Sequence, residues 1–271
     1  MSSIEHEAKT AADAFRQEHQ LGWQPLGDLV GLIEQTTEHD VAVLDAEPDA
    51  HGLTMRDPKR GRTFIGVART PHPMRQRSTL AHELAHVIFE DQIEDLAVRG
   101  KEEIRADAFA RHLLIPQDGL TLFLDTIAEA HEANLSAVVQ HFLVSPAIAA
   151  IAMREAGFVT QADVDSWKHL RTSRLATRFG WRDYYESLQQ DSNRLRAPQG
   201  LLTRAVAGYV AGVLSIQAVA TLRGLPVEAV AQEFAEAGIE PHRADADEIE
   251  LDDLPEIFID VSELGEEGAS A

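Results

Sequence analysis

Apolar positions along the first half of the chain alternate between two rhythms. Ala8, Ala11, Ala12 and Phe15 recur at helical spacing, as do Leu26, Leu29, Val30, Leu32 and Ile33, with Gly22-Trp23 between the two stripes. Residues 4–37 therefore read as helical. Residues 41–44 and 63–68 are short apolar or alternating runs and read as strands, residues 51–55 as a weaker third, and residues 57–62 as a turn by their Pro and Gly. The helical period then returns. Leu80, Leu84, Val87 and Ile88 form one stripe, with Ser78 as its expected N-cap. Ala106, Phe109, Ala110, Leu113 and Leu114 form another, stopped by Pro116. Residues 120–159 read as helical. Within them two helices flank Val144-Ser145-Pro146 and close at Gly157, the outline of a helix-turn-helix unit over 134–158. A fainter echo follows, in which Glu236-Ala237-Gly238-Ile239 answers Glu155-Ala156-Gly157-Phe158.

The polar residues on the third and fourth stripes carry the chemistry. His82, Glu83 and His86 make an H-E-x-x-H pattern inside a helical period. Residues four apart stand one turn above each other, so both imidazoles point the same way and can hold one metal ion. Glu83, one step round, can reach a water on that ion. Short patterns arise by chance, so the flanks must decide. Downstream, Glu103 and Asp107 are also four apart on a helix. Glu103 can complete a His-His-Glu set with water in the fourth position. Asp107 can accept the spare ring N–H of a ligating histidine and fix its tautomer. Glu102 is the rival ligand, but its i+4 neighbour is Ala106, which can orient nothing.

At these residues the chain resembles the ImmA/IrrE metallopeptidases. The resemblance rests on Arg77-Ser78-Thr79-Leu80-Ala81-His82-Glu83-Leu84-Ala85-His86 and on the helix from Glu103 to Pro116, with its Ala106-Asp107-x-Phe109-Ala110 core. It covers roughly residues 25–160 well. Ala85 stands where a Gly is usual, and Asp107 where Asn is frequent. The resemblance implies zinc as cofactor, His82, His86 and Glu103 as its ligands, and Glu83 as general base. It further implies a protein substrate, typically a helix-turn-helix transcriptional repressor whose cleavage derepresses genes of a mobile element or a stress response.

The expected fold is α+β. A small zincin-like metallopeptidase domain with a short antiparallel-type sheet would span residues 1–165, including the unit at 134–158. A helical domain at 166–240 and an acidic tail at 241–271 would follow. Residues 63–68 are the expected edge strand, able to pair with an extended substrate. The oxyanion donor is open: His51, Arg69, His72 and His112 qualify by type, and His72 and His112 read more simply as surface residues.

Composition narrows the setting. The chain has no cysteine, so disulfides and thiolate metal sites are excluded, which fits the cytoplasm. No run of 18 apolar residues suggests a membrane span, and the N-terminus lacks a secretory signal. The formal charge is −21. Residues 242–271 supply much of it, with eleven Asp and Glu against Arg243 alone. Such a chain should be repelled by nucleic acid, and the helix after Pro146 offers no base-reading side chain before Arg154. Residues 168–204 run against this trend. Basic residues outnumber acids there and interleave with Trp167, Phe179, Trp181, Tyr184 and Tyr185. Docking of that arginine face on acidic protein surface, perhaps the chain's own tail, ranks above nucleic-acid binding. The expected function is thus a zinc endopeptidase acting on a repressor. The alternative is a partner-binding anti-repressor that keeps the metal fold without proteolysis, and the intact Glu83 favours the enzyme.

Overall fold

A computed structural model describes residues 3–37, 39–47, 52–57, 59, 61–91, 100–124 and 131–242. Two helices, α1 (Ser3–Glu18) and α2 (Leu29–Thr37), lead into three strands, β1 (Asp40–Leu44), β2 (Leu53–Asp57) and β3 (Arg62–Ala68). Helices α3 (Pro73–Ile88), α4 (Lys101–Leu114), α5 (Gln117–Leu124), α6 (Glu132–Phe142) and α7 (Pro146–Glu155) follow. The remainder is α8 (Gln161–Trp167), α9 (Thr172–Arg178), α10 (Arg182–Ser192), α11 (Gln199–Val210), α12 (Ile216–Arg223) and α13 (Val227–Glu236). The α+β class is as expected. The acidic tail from residue 243 onward lies outside the described residues.

The sheet differs from the expected one in two ways. Its order is β1-β3-β2. It is mixed, because β1 runs parallel to β3 (Asp40 opposite Phe64, Leu44 opposite Ala68) while β2 runs antiparallel (Leu53 opposite Gly66, Asp57 opposite Arg62). Residues 63–68 are therefore the centre of the sheet and not its edge. Thr63, Ile65 and Val67 are buried, as a strand flanked on both sides must be. The outer side of β1 is bridged by Arg196, whose N–H and carbonyl both bond Val43. Among the described residues no strand pairs with the outer side of β2, whose Leu53 and Met55 are exposed.

The stripes found in the sequence face one core. Leu80 and Leu84 of α3 meet Ala106, Phe109, Leu113 and Leu114 of α4, all almost fully buried, and α4 packs between α1 and α3. The start of α3 lies earlier than Ser78. Pro73 occupies the first helical turn, where its fixed φ suits a helix and its missing N–H costs nothing. Ser78 sits inside the helix and donates to the Arg75 carbonyl at 2.9 Å. One turn N-terminal to Leu80 and Ala81, Arg77 ties the helix to the rest of the body. Its guanidinium donates to the carbonyls of Leu26 and Gly27, and to that of Leu143 at 3.1 Å. Burial lowers its pKa to about 10, still charged at neutral pH. Replacing Arg77 with Met should leave three carbonyls without this donor. A loss of about 1.5–3 kcal/mol in chemical denaturation is expected, the range for a hydrogen bond to a charged group.

The helix-turn-helix outline holds in α6 and α7. Leu143 turns the chain in the left-handed region (φ 56°), and the Ser145 hydroxyl caps α7 by accepting the Ile148 N–H at 3.3 Å. Its apolar residues (Leu135, Val138, Val139, Phe142, Ala149, Ala150) are core. The later echo has a structural counterpart. Gly157 and Gly238 both take positive φ, and Phe158 and Ile239 each return an N–H to a helix carbonyl, of Met153 at 2.9 Å and of Phe234 at 2.8 Å. No single helix among the described residues is long and apolar enough to cross a membrane.

Packing divides the chain later than residue 165. Val164, Trp167, Leu175, Trp181 and Tyr185 belong to the first core, while Ala205, Val219, Ala220, Val230 and Phe234 form a separate small one. We propose that α8–α10 complete the first unit and that α11–α13 form the second. Part of the basic, aromatic segment takes part in this packing. Trp181 donates to the Ser136 hydroxyl at 2.9 Å. Arg178 pairs with Glu132, Arg196 with Asp28 at 2.9 Å, and Arg204 with Asp40 at 3.8 Å.

Candidate metal centre

Two helices bring four of the sequence-predicted residues together. His82 and His86 stand one turn apart on α3, and their Nε2 atoms face each other at 3.0 Å. Glu103, in the first turn of α4, reaches across. Its Oε2 lies 3.2 Å from His82 Nε2 and its Oε1 3.4 Å from His86 Nε2. Glu102 is exposed and turns back over Gly100, so it takes no part.

The other ring nitrogens are held by carboxylates. His82 Nδ1 lies 2.9 Å from Asp107 Oδ1, and His86 Nδ1 lies 3.0 Å from Asp91 Oδ2. An ionised carboxylate can only accept, so each Nδ1 carries a proton, and in the neutral imidazole each Nε2 then presents a lone pair. Two lone pairs and a carboxylate thus converge on one point. Neutral imidazoles in this tautomer have nothing to donate to each other across that gap, whereas a cation would satisfy all three groups. The spacings fit. Tetrahedral zinc, with ligands at 2.0–2.1 Å, sets neighbouring ligand atoms about 3.3–3.4 Å apart. His82 feels the surplus of negative charge. Burial lowers its pKa, but the bond to Asp107 and the charges of Asp107, Glu103 and Glu83 outweigh that and raise it.

Glu83 faces the sheet from the same turn. It is buried, 7% exposed, and its Oε2 accepts the Thr54 hydroxyl of β2 at 2.7 Å. Asp91 and Thr54 were not found from the sequence. Asp91 follows Glu90, whose left-handed backbone (φ 54°) folds the chain back so that the Asp91 N–H meets the His86 carbonyl at 3.0 Å. Arg105 of α4 then pairs with both Asp91 and Glu7 of α1.

Of the residues considered as oxyanion donors, Arg69 and His112 are otherwise engaged. Arg69 pairs with Asp45 at 2.8 Å. His72 precedes α3, ten residues before His82 and so about 15 Å along the axis. His112 is not a surface residue. It is buried, 2.6 Å from Glu5. Glu5, His112 and Glu155 form a second cluster of possible ligands. There Arg111 already supplies the cation, bonding Glu5 and also Glu155, at 3.1 Å. His51 lies outside the described residues.

Residues 36–154, which contain the whole sheet, α3 and α4, match the family model Peptidase_M78, described as the IrrE N-terminal-like domain. This stretch is similar to an IrrE N-terminal-like domain. That family is of the metallopeptidase type, which implies a metal and suggests a protein substrate. A search of curated proteins found no match. The match runs to residue 154, within α7, and so takes in the α6–α7 unit.

Orientation by carboxylates should be measurable. Asp107→Ala is expected to weaken zinc binding about 10- to 100-fold, the usual cost of losing a group that fixes a ligand histidine. A competition titration against a chromophoric chelator reads this directly.

Proposed function

We propose that the chain is a zinc-dependent endopeptidase of the cytoplasm, with His82, His86 and Glu103 as metal ligands, Asp107 and Asp91 orienting the histidines, and Glu83 as general base. The observation that carries this reading is the convergence of two Nε2 lone pairs and the Glu103 carboxylate within 3.0–3.4 Å, beside the buried Glu83 carboxylate. Zinc bound there would acidify a water and polarise a peptide carbonyl. Glu83 takes the proton of the attacking water and returns it to the leaving amine. An extended substrate is held along the outer side of β2, where main-chain hydrogen bonds give affinity without sequence demands and Leu53 and Met55 give apolar contact.

The substrate is a protein, and the resemblance to ImmA/IrrE enzymes points to a helix-turn-helix repressor. Incubation of the zinc-loaded chain with candidate repressors, followed by intact-mass analysis, tests the reading. The expected result is a cleavage at one defined bond, abolished by a chelator and restored by zinc. Repressors that stay intact while their genes are derepressed would replace it with the non-proteolytic anti-repressor.

A further inference from the structure

We infer that Thr54 and Gly52 form a clamp that positions the Glu83 carboxylate, and that Thr54 is thereby a positioning residue of the peptidase reaction; the inference rests on the proposed function. Two independent observations meet at this carboxylate. On one side, the Thr54 hydroxyl donates to Glu83 Oε2 at 2.7 Å. On the other, the backbone of Gly52 lies so close that a Cβ there would stand 2.3 Å from Glu83 Cγ and 2.5 Å from both Cδ and Oε1. Glycine leaves space there, and what fills that space is the Glu83 side chain.

The consequence follows from where the clamp sits. A carboxylate on a flexible side chain must spend its time in one rotamer to meet a water proton in line. Thr54 fixes the plane of the carboxylate through Oε2, and Gly52 lets it lie flat against the backbone. Thr54 lies in β2 and Gly52 immediately precedes that strand, and the outer side of β2 pairs with no strand among the described residues. Thr54 is held from the inner side only, opposite Ile65 of β3. A substrate strand added to that outer side restrains Thr54 and, through its hydroxyl, Glu83. Substrate docking and alignment of the base are thereby linked by one side chain.

Thr54→Val removes the hydroxyl and keeps the shape. Thr54→Ser keeps the hydroxyl. The test compares these and Gly52→Ala on a quenched peptide selected from a library for cleavage by the zinc-loaded wild type. Thr54→Val and Gly52→Ala are expected to lower kcat about 10- to 100-fold, with KM and zinc content close to wild type. Thr54→Ser should recover most of the rate, and Thr54→Val should cost nothing further in a Glu83→Gln background. An undiminished kcat in Thr54→Val, or an equal loss with and without Glu83, overturns the inference. A melting-temperature cycle between Thr54→Val and Glu83→Ala reads the contact without activity. Non-additive shifts support it, and additive shifts overturn it. A zinc-loaded wild type that cleaves no peptide, with the cycle still non-additive, overturns the proposed function and leaves the contact standing.

Discussion

Glu83→Gln is expected to reduce peptide hydrolysis by roughly 10²- to 10⁴-fold, the contribution typical of a positioned general base, while leaving metal content and fold intact. The substitution is nearly isosteric. The amide oxygen can still accept the Thr54 hydroxyl, which at 2.7 Å is the contact that holds the side chain in place. The buried position, 7% exposed, loses a charge and not a partner, so stability should not fall. What the amide cannot do is take a proton from water at neutral pH. Steady-state kinetics on a cleaved peptide, with zinc measured on the same sample, check this. A variant that hydrolyses at the wild-type rate would remove Glu83 from the chemistry. A variant that loses its zinc would make Glu83 a ligand.

His86→Ala and Glu103→Ala are each expected to weaken zinc binding by more than the 10- to 100-fold that losing an orienting group costs, because each removes one of the three proposed protein donors. Glu102→Ala should not change it, since that side chain is exposed and turned away from the site. Coupling to stability gives a second readout. A ligand that binds only the folded state stabilises it by about 2.7 kcal/mol at a concentration 100 times its Kd. Added zinc should therefore raise the melting temperature of the wild type and of Glu102→Ala, and leave that of His86→Ala and Glu103→Ala unmoved. A zinc-dependent shift in Glu103→Ala equal to wild type would mean that another acid completes the set.

What could be read from the sequence was what lies on a single helix. His82 with His86, and Glu103 with Asp107, are pairs at i and i+4, and one helical turn places each pair on a common face whatever the rest of the chain does. The apolar stripes beneath them fixed how α3 and α4 meet. The class of the fold followed in the same way, from runs too long and too regular to be misread. What escaped depends on contacts between elements, or on single backbone angles. Asp91 reaches His86 only because Glu90 adopts a left-handed conformation, rare outside glycine. Thr54 reaches Glu83 only because β2 lies at the edge of the sheet beside α3, and strand order is not written in any one strand. The mistaken edge at residues 63–68 had a legible warning. Its apolar residues run almost unbroken, as in a strand buried on both faces, whereas Leu53 and Met55 of β2 are exposed. The arginines of residues 168–204 were expected to dock on acidic protein surface, perhaps the tail; Arg178, Arg196 and Arg204 find their acids on the body itself, at Glu132, Asp28 and Asp40.

The most direct test of the metal centre is the X-ray absorption spectrum of the full chain loaded with one equivalent of zinc. The account predicts a first shell of nitrogen and oxygen only, at about 2.0–2.1 Å, with outer-shell scattering from two imidazoles. A shell with one imidazole or none would place the zinc elsewhere and contradict it.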